Sequence, residues 1–599
     1  MRDFYRLALA TLIAAGLVTG CAASETASIP GLDQAAASLP TPTLTPFLPL
    51  PPTGSAATPG PMGATTEAIP TPGQAPSAGK LAIWLDPTLP AGLRQAVAIP
   101  PGFEASSSPE NAALHLRAGG EAVISSWVYA LAAPFPTVVD GVPAEALHLA
   151  WAGQAEGPFA SRPLLVDEST ASVFNSWWGA PAEGAIRVLP EAEMLDYAWG
   201  HQPAWALLPF EKLEPRWKVL EVDGLSPLRQ DFDPAAYPLA VPISLYGEAR
   251  LVELVRTLYG PNSAARLAPP SNRQPEKLTT LALTGVTALV RATAHTMERQ
   301  GVRYPGREVR DWLRLADITH ISNEVPFARN CPFPNPVQED LRFCSDPSYI
   351  ELLEDIGTDI VELTGDHFQD WGAEAMLYTL ELYRERGWRY YGGGENLQEA
   401  RQAVLLEHNG NKLAFIGCNG KGGGFARASP GSPGAAACDL DWLRGEISRL
   451  REEGYLPVVT FQHLEYYTYQ AMPLQVRDFT QAAQAGAIIV SGSQAHQPQV
   501  FEFVAGDVDG VGAPGASDGA PGSSDGAFVH YGLGNLFFDQ FDVSQATRQA
   551  FIDRHVFYAG RHISTELLTI QFVDYARPRP MTSAERAELL QVVFAASGW

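Results

Sequence analysis

The chain has 599 residues, with 41 Lys plus Arg against 66 Asp plus Glu, a formal net charge of −25. A chain this acidic lacks the basic face that general nucleic-acid binding requires, and an anionic membrane surface would repel it. Its composition, 46% hydrophobic and 18% charged, suits a large packed core, while 54 Gly and 50 Pro imply long irregular stretches.

The amino terminus reads as an address. Arg2 and Arg6 precede an apolar run from Leu7 to Val18, broken only by Thr11. The run is too short to cross a hydrocarbon layer of about 30 Å and fits the apolar region of a signal peptide. It ends in Leu17-Val18-Thr19-Gly20-Cys21, which resembles a bacterial lipobox. The expectation is a signal peptide over 1–20, lipid on Cys21, and attachment of the chain to the extracytoplasmic face of the cell membrane by that lipid alone. The plain alternative is a secretory signal with an incidental cysteine. Residues 25–79 hold twelve prolines and three charges, Glu25, Asp33 and Glu67. Such a composition cannot bury a core, so 21–79 is expected to form a disordered, semi-rigid stalk.

From Lys80 the texture becomes that of an α/β fold. Leu81–Leu85 is strand-like, and 122–133 reads as one or two buried strands before Pro134. The order of pieces over 80–255 resembles the type 2 periplasmic solute-binding fold. Tyr129 to Asp140 is similar to its hinge strand, 147–153 to one of its helices, and 206–211 with 219–224 to its late strand pair. That resemblance implies a small-molecule ligand. The tryptophans here, Trp127, Trp151, Trp177, Trp178, Trp199, Trp205 and Trp217, would either line a cleft or pack a core. Residues 256–277, with Pro261 and the Pro269-Pro270 pair, read as a second linker.

From 278 to 599 strands and helices alternate again, and polar residues fall where strands end. Strands are expected at 281–285, 316–321, 358–363, 456–461 and 487–491. They are followed by Glu324, by Asp366-His367, by His463 with Glu465, and by Gln494 and His496. Carboxylates and imidazoles just past the carboxyl ends of strands are how α/β folds assemble a site, and this set suits Zn or Mn. Besides Cys21, Cys331, Cys344, Cys418 and Cys438 remain. Four cysteines allow three pairings. The local one, Cys331–Cys344 with Cys418–Cys438, closes two short loops, each bridge contributing about 3 kcal/mol; the rival is a four-thiolate metal site. Residues 506–526, nearly all Gly, Ala, Ser, Pro, Val and Asp, read as a disordered insertion rather than a calcium loop.

Five motifs make 278–576 similar to the capsule-synthesis CapA family, which is associated with poly-γ-glutamate and related to calcineurin-like metallophosphoesterases. They are 359–372, with Asp366 and His367; 391–401; 411–417; His463-Leu464-Glu465-Tyr466 with Pro473 and Gln475; and 531–540. The resemblance implies a metallophosphoesterase-like α/β sandwich. Position by position it implies Glu324, Asp366, His367, His463 and His496 as metal ligands, with His367, His463 and Glu465 as catalytic candidates. Departures limit this. The family's opening Gly-Asp is here Gly285-Val286, and its first His of Gly-x-His-Pro-His is Gln494. The resemblance therefore implies one metal or none, in either a metal-assisted hydrolase of phosphoesters or amides or a non-catalytic binder of an envelope polymer. Other capsule-assembly proteins are the implied partners.

Overall fold

The computed structural model describes residues 80–160, 162–421, 424–505 and 526–599. The signal, Cys21, the stalk and the 506–525 stretch lie outside the described residues. Those described fall in one compact unit, Ala78–Trp599. It is α/β throughout, as the sequence implied.

Residues 81–247 build a ten-stranded sheet around one long strand, Val123–Pro134. Ten of its twelve residues are buried, so it serves both halves of the sheet. On one side it pairs antiparallel with Ala240–Gly247, which leads to the parallel strands at 81–85 and 114–118. On the other it pairs with Trp205–Pro209 and Trp217–Val222. Trp127, Trp151, Trp205 and Trp217 are buried in this core, while Trp177, Trp178 and Trp199 are half-buried against it. The 256–277 stretch begins inside the helix Ala249–Tyr259 and then packs down. Leu267 is buried, and Asn272 exchanges hydrogen bonds with both backbone groups of Val128 at 2.7 and 2.9 Å.

From Leu278 onward two sheets stack face to face. In the first, the strands at 389–391, 360–362, 318–323 and 278–287 run parallel, and the hairpin Gln549–Tyr558 with Arg561–Phe572 adds antiparallel strands beyond them. In the second, the strands at 411–419, 456–462, 489–492 and 527–530 run parallel, with antiparallel edges at 404–408 and 501–504. Successive strand residues point to opposite faces, and here both faces are buried. Leu281, Leu283 and Ile318 meet Phe415, Val458 and Ile489 between the sheets. Ala282 and Ile321 face one helical layer, with Met376 and Leu380; Ile416, Val459 and Val490 face the other, with Leu443 and Phe479. The order is helix, sheet, sheet, helix.

The amino-terminal sheet is fastened to this sandwich at two points. Phe135 inserts among Phe501, Phe503, Phe528, Phe594 and Trp599, with ring centroids 5.3–6.1 Å away. Asp140 pairs with Lys218 at 2.7 Å and with Arg586 of the last helix at 2.6 Å. Both expected local disulfides are formed, Cys331–Cys344 and Cys418–Cys438, with Cα separations of 5.8 and 4.9 Å.

Phe135→Ala would leave a cavity among five aromatic rings and is expected to lower stability by about 3–5 kcal/mol, read by urea denaturation. Burial alone would raise the Asp140 pKa, but Arg586 and Lys218 overcome it and hold the group down at about 2. Because the folded value is depressed, its stabilisation is present above the ordinary value of 3.8 and is lost as pH falls toward about 2. Asp140→Asn should therefore destabilise the protein near neutral pH, and its difference from the wild type should shrink steadily below about pH 4.

Candidate functional site

The parallel strands of both sheets end at the same rim, and five of those ends supply the polar side chains. The strand Ile318–Asn323 delivers Glu324, and Ile360–Glu362 leads through Thr364 and Gly365 to Asp366 and His367. Asn411–Asn419 leads to Lys421, Leu456–Gln462 ends in Gln462 itself, and Ile489–Gly492 leads to Gln494 and His496. Gly365 is required for the approach: a Cβ there would sit 2.7 Å from the Glu324 backbone.

Glu324, Asp366 and His367 come together. One ligand atom from each lies within 4.8 Å of the others, a group that could hold a metal ion. The other candidates stand around them in different roles. Gln462 Nε2 donates to Glu324 Oε1 at 3.1 Å and to Asp366 Oδ1 at 3.2 Å, and its own carbonyl accepts from Ser493 at 2.8 Å. Lys421 Nζ lies 3.2 Å from Asp366 Oδ2 and 3.1 Å from Glu465 Oε2. Glu465 thus reaches the cluster through Lys421 and is not a member of the three-residue group.

His463 departs from its expected place. Its Nε2 lies 3.1 Å from Asp478 Oδ2 on the helix Pro473–Gln484, and its ring packs against Phe461 and Phe479. The reason is strand alternation: where Gln462 points at the carboxylates, the next side chain points elsewhere. His496, at φ 54°, places Nδ1 2.8 Å from Asn535 Oδ1 and Nε2 3.2 Å from the Gln494 amide, so it too stands outside the group. Val286 is buried with Phe343 and Phe538, the rings that flank His367 and His496 at 4.8 and 5.3 Å.

Burial, together with the charge of Asp366, pushes Glu324 well above the usual carboxylate range. Burial would raise Asp366 too, but His367 and Lys421 outweigh it and hold Asp366 ionised. His367 is moved the other way from an ordinary buried imidazole. Burial lowers it, yet the hydrogen bond from Nδ1 to Asp370 Oδ2, 2.6 Å long, and the nearby carboxylates lift it to about 9. Burial takes His496 down to about 4, so that imidazole is neutral.

These residues do not fit a complete two-ion hydrolytic centre. Such a centre needs a carboxylate shared between ions and imidazoles facing them. Val286 offers no donor, Gln494 offers a neutral amide, and His463 faces Asp478. Of the expected set, only the Glu324, Asp366 and His367 group retains the donor chemistry for a single ion, and an ammonium already touches it.

Sequence reasoning passed over Lys421, Gln462, Asp478 and Asn535. Each was within sight: Gln462 and Lys421 lie at or just past strand ends, and Asn535 sits in the 531–540 motif. What the sequence withheld was which of two neighbouring side chains faces the rim.

Strand ends from two stacked sheets that gather carboxylates, imidazoles and amides define an α/β sandwich with a rim site of metallohydrolase-like composition and an incomplete ligand set. Residues 269–540 match the family described as "Bacterial capsule synthesis protein PGA_cap". The chain is 23% identical to the capsule biosynthesis protein CapA of Bacillus anthracis over 325 residues, 53% of this chain and 73% of that one. With the PGA biosynthesis protein CapA of Bacillus subtilis (strain 168) it shares 22% over 247 residues, 41% of this chain and 59% of that one. By this match residues 269–540 are similar to the capsule-synthesis family that includes these CapA proteins. Among solved structures it is similar to a 5'-nucleotidase precursor from Thermus thermophilus, at 12% identity, with a TM-score of 0.30 and 53% and 59% of the two chains covered. It is also similar to an ABC-type phosphate transport receptor from Vibrio cholerae, at 10% identity, with a TM-score of 0.23 and 29% of this chain and 92% of that one covered.

Gln462→Leu removes the amide that donates to both buried carboxylates. It is expected to cost about 1–3 kcal/mol of stability, measured by denaturation at neutral pH, with Gln462→Glu at least as costly because it adds a third carboxylate.

Proposed function

We propose that this chain is a surface lipoprotein that takes part in making, exporting or anchoring a capsule or envelope polymer of the poly-γ-glutamate type. The observation that carries this reading is the family match over 269–540, which spans the strands and loops that form the rim site. The polymer is held at that rim, beside the two cations Lys421 and His367. With a net charge of −25 the chain as a whole repels a free polyanion, so binding is local to the cations of the site. Lipid on Cys21 anchors the chain to the outer face of the cell membrane. Among the described residues no helix is long and apolar enough to cross a membrane. The 80–255 region adds a second place for a small-molecule ligand, and other capsule-assembly proteins are its partners.

A hydrolytic reading has one specific support. His367 is backed by Asp370 through Nδ1 at 2.6 Å, and its Nε2 lies on the side of Asp366, 4.0 Å from Oδ2. A carboxylate behind an imidazole is the arrangement of a general acid or base. A bound Zn or Mn, held by Glu324, Asp366 and His367, would supply Lewis-acid polarisation; His367 would then be a ligand, and proton transfer would fall to another group.

Deleting the gene in the producing bacterium is expected to lower cell-bound polymer, with the wild-type chain restoring it. Cys21→Ser should move the protein from the membrane fraction to the medium or periplasm and release polymer with it. Unchanged amount and location of polymer in the deletion strain would overturn the proposal, and a Cys21→Ser protein that stays on the membrane would overturn its anchoring.

A further inference from the structure

We infer that the ammonium group of Lys421 is the resident cation of the rim site and takes the place a divalent metal would hold. This goes beyond the polymer reading and does not depend on it.

An ammonium has three N–H donors and accepts nothing. Lys421 Nζ has three acceptors around it: Glu465 Oε2 at 3.1 Å, Asp366 Oδ2 at 3.2 Å, and the Gln494 amide at 2.6 Å. Only the carbonyl oxygen of that amide can face an ammonium so closely; in this orientation its nitrogen lies 3.2 Å from Glu324 Oε1 and crowds the Gln462 side-chain amide, so Gln462 must shift to admit it. Every donor of the lysine is used. Asp366 is also a member of the one group in the described residues that could hold a metal ion. A divalent ion on Glu324, Asp366 and His367 would share Asp366 with a fixed positive charge, and like charges at one carboxylate exclude each other.

The lysine is placed by construction. Cys418, three residues before it, is tied to Cys438. Between them Gly420 N donates to Gln462 O at 2.8 Å, Cys438 N to Asn419 O at 2.9 Å, and the Asn419 side chain to Thr364 O at 2.6 Å. The segment that carries Lys421 is therefore bonded to two of the strand ends that form the site. The departures from the family pattern agree with this assignment. Gln494 stands where an imidazole ligand would be, and a neutral amide oxygen that accepts from an ammonium is a weaker ligand for Zn or Mn than an imidazole nitrogen. Val286 leaves the second ion without its carboxylate.

The full chain is titrated with Mn²⁺ by calorimetry at fixed pH, as wild type and as Lys421→Met, Lys421→Arg and Lys421→Met/Asp366→Asn. The wild type and Lys421→Arg, which keeps the positive charge, are expected to show no saturable binding. Lys421→Met is expected to bind one Mn²⁺ per chain, at least about ten-fold more tightly than the wild type. The added Asp366→Asn should abolish that gain, tying it to this site. One-to-one binding by the wild type as tight as by Lys421→Met overturns the inference, and so does a Lys421→Met chain of wild-type circular dichroism that gains nothing. Should Lys421→Met fail to fold, the wild-type titration decides alone, since stoichiometric Mn²⁺ there is incompatible with a resident ammonium.

Discussion

Two sheets buried on both faces leave a charged side chain almost nowhere to go except the strand ends. That constraint governs the carboxyl-terminal part of the chain. Leu281, Leu283, Phe415 and Val458 fill the space between the sheets, and Ala282, Ile416 and Val459 fill the spaces beneath the helices. A polar group inside must be paired, and one buried chain of hydrogen bonds does cross the gap, from His320 Nε2 to Tyr391 OH at 2.8 Å and on to Thr460 Oγ1 at 2.9 Å. A second buried link crosses from His530 Nδ1 to Asp553 Oδ2 at 2.6 Å, and the charged side chains of the metal-capable group lie at the rim. Because the central strands of both sheets run parallel, their carboxyl ends deliver these side chains to one place.

Once there, charge balance decides the arrangement. Glu324 and Asp366 lie close together at low exposure, where two carboxylates cannot both stay ionised without positive charge beside them. Lys421 and His367 supply it, and Gln462 and Gln494 supply neutral hydrogen bonds. A tethered ammonium differs from a metal ion in being part of the covalent chain. Its position is set by the disulfide and the backbone bonds around Gly420, not by its concentration in the medium.

The amino-terminal sheet is tied into the same compact unit by contacts of two kinds. Phe135 is an apolar anchor in a ring of aromatic side chains, and Asp140 with Lys218 and Arg586 is a charged one beside it. The first carries most of the energy, because it removes a large apolar surface from water, while the second is half-exposed and acts mainly to orient. The stretch at 256–277, rich in proline and polar residues, read as a linker because composition cannot report that Asn272 satisfies both backbone groups of Val128.

The α/β class, the strands at 278–287, 318–323, 360–362, 456–462 and 489–492, and the cysteine pairing favoured for loop closure were legible in the sequence. Each depends on local pattern, either runs of Val, Ile and Leu bounded by polar residues or cysteines separated by short Pro- and Gly-rich loops. The motif around Asp366 and His367 was legible for the same reason, since a strand end followed by polar residues is a local signal. The facing of single side chains was not. His463 and Gln462 are neighbours in the sequence, yet only Gln462 reaches Glu324 and Asp366, because the pleat sends alternate residues to opposite sides and nothing local fixes which side is the site. Lys421 was invisible as a site residue for a related reason. It lies more than fifty residues from Asp366 and more than forty from Glu465: pairing of the strands 411–419 and 456–462 brings it to Glu465, and the stacking of the two sheets brings Asp366 to both.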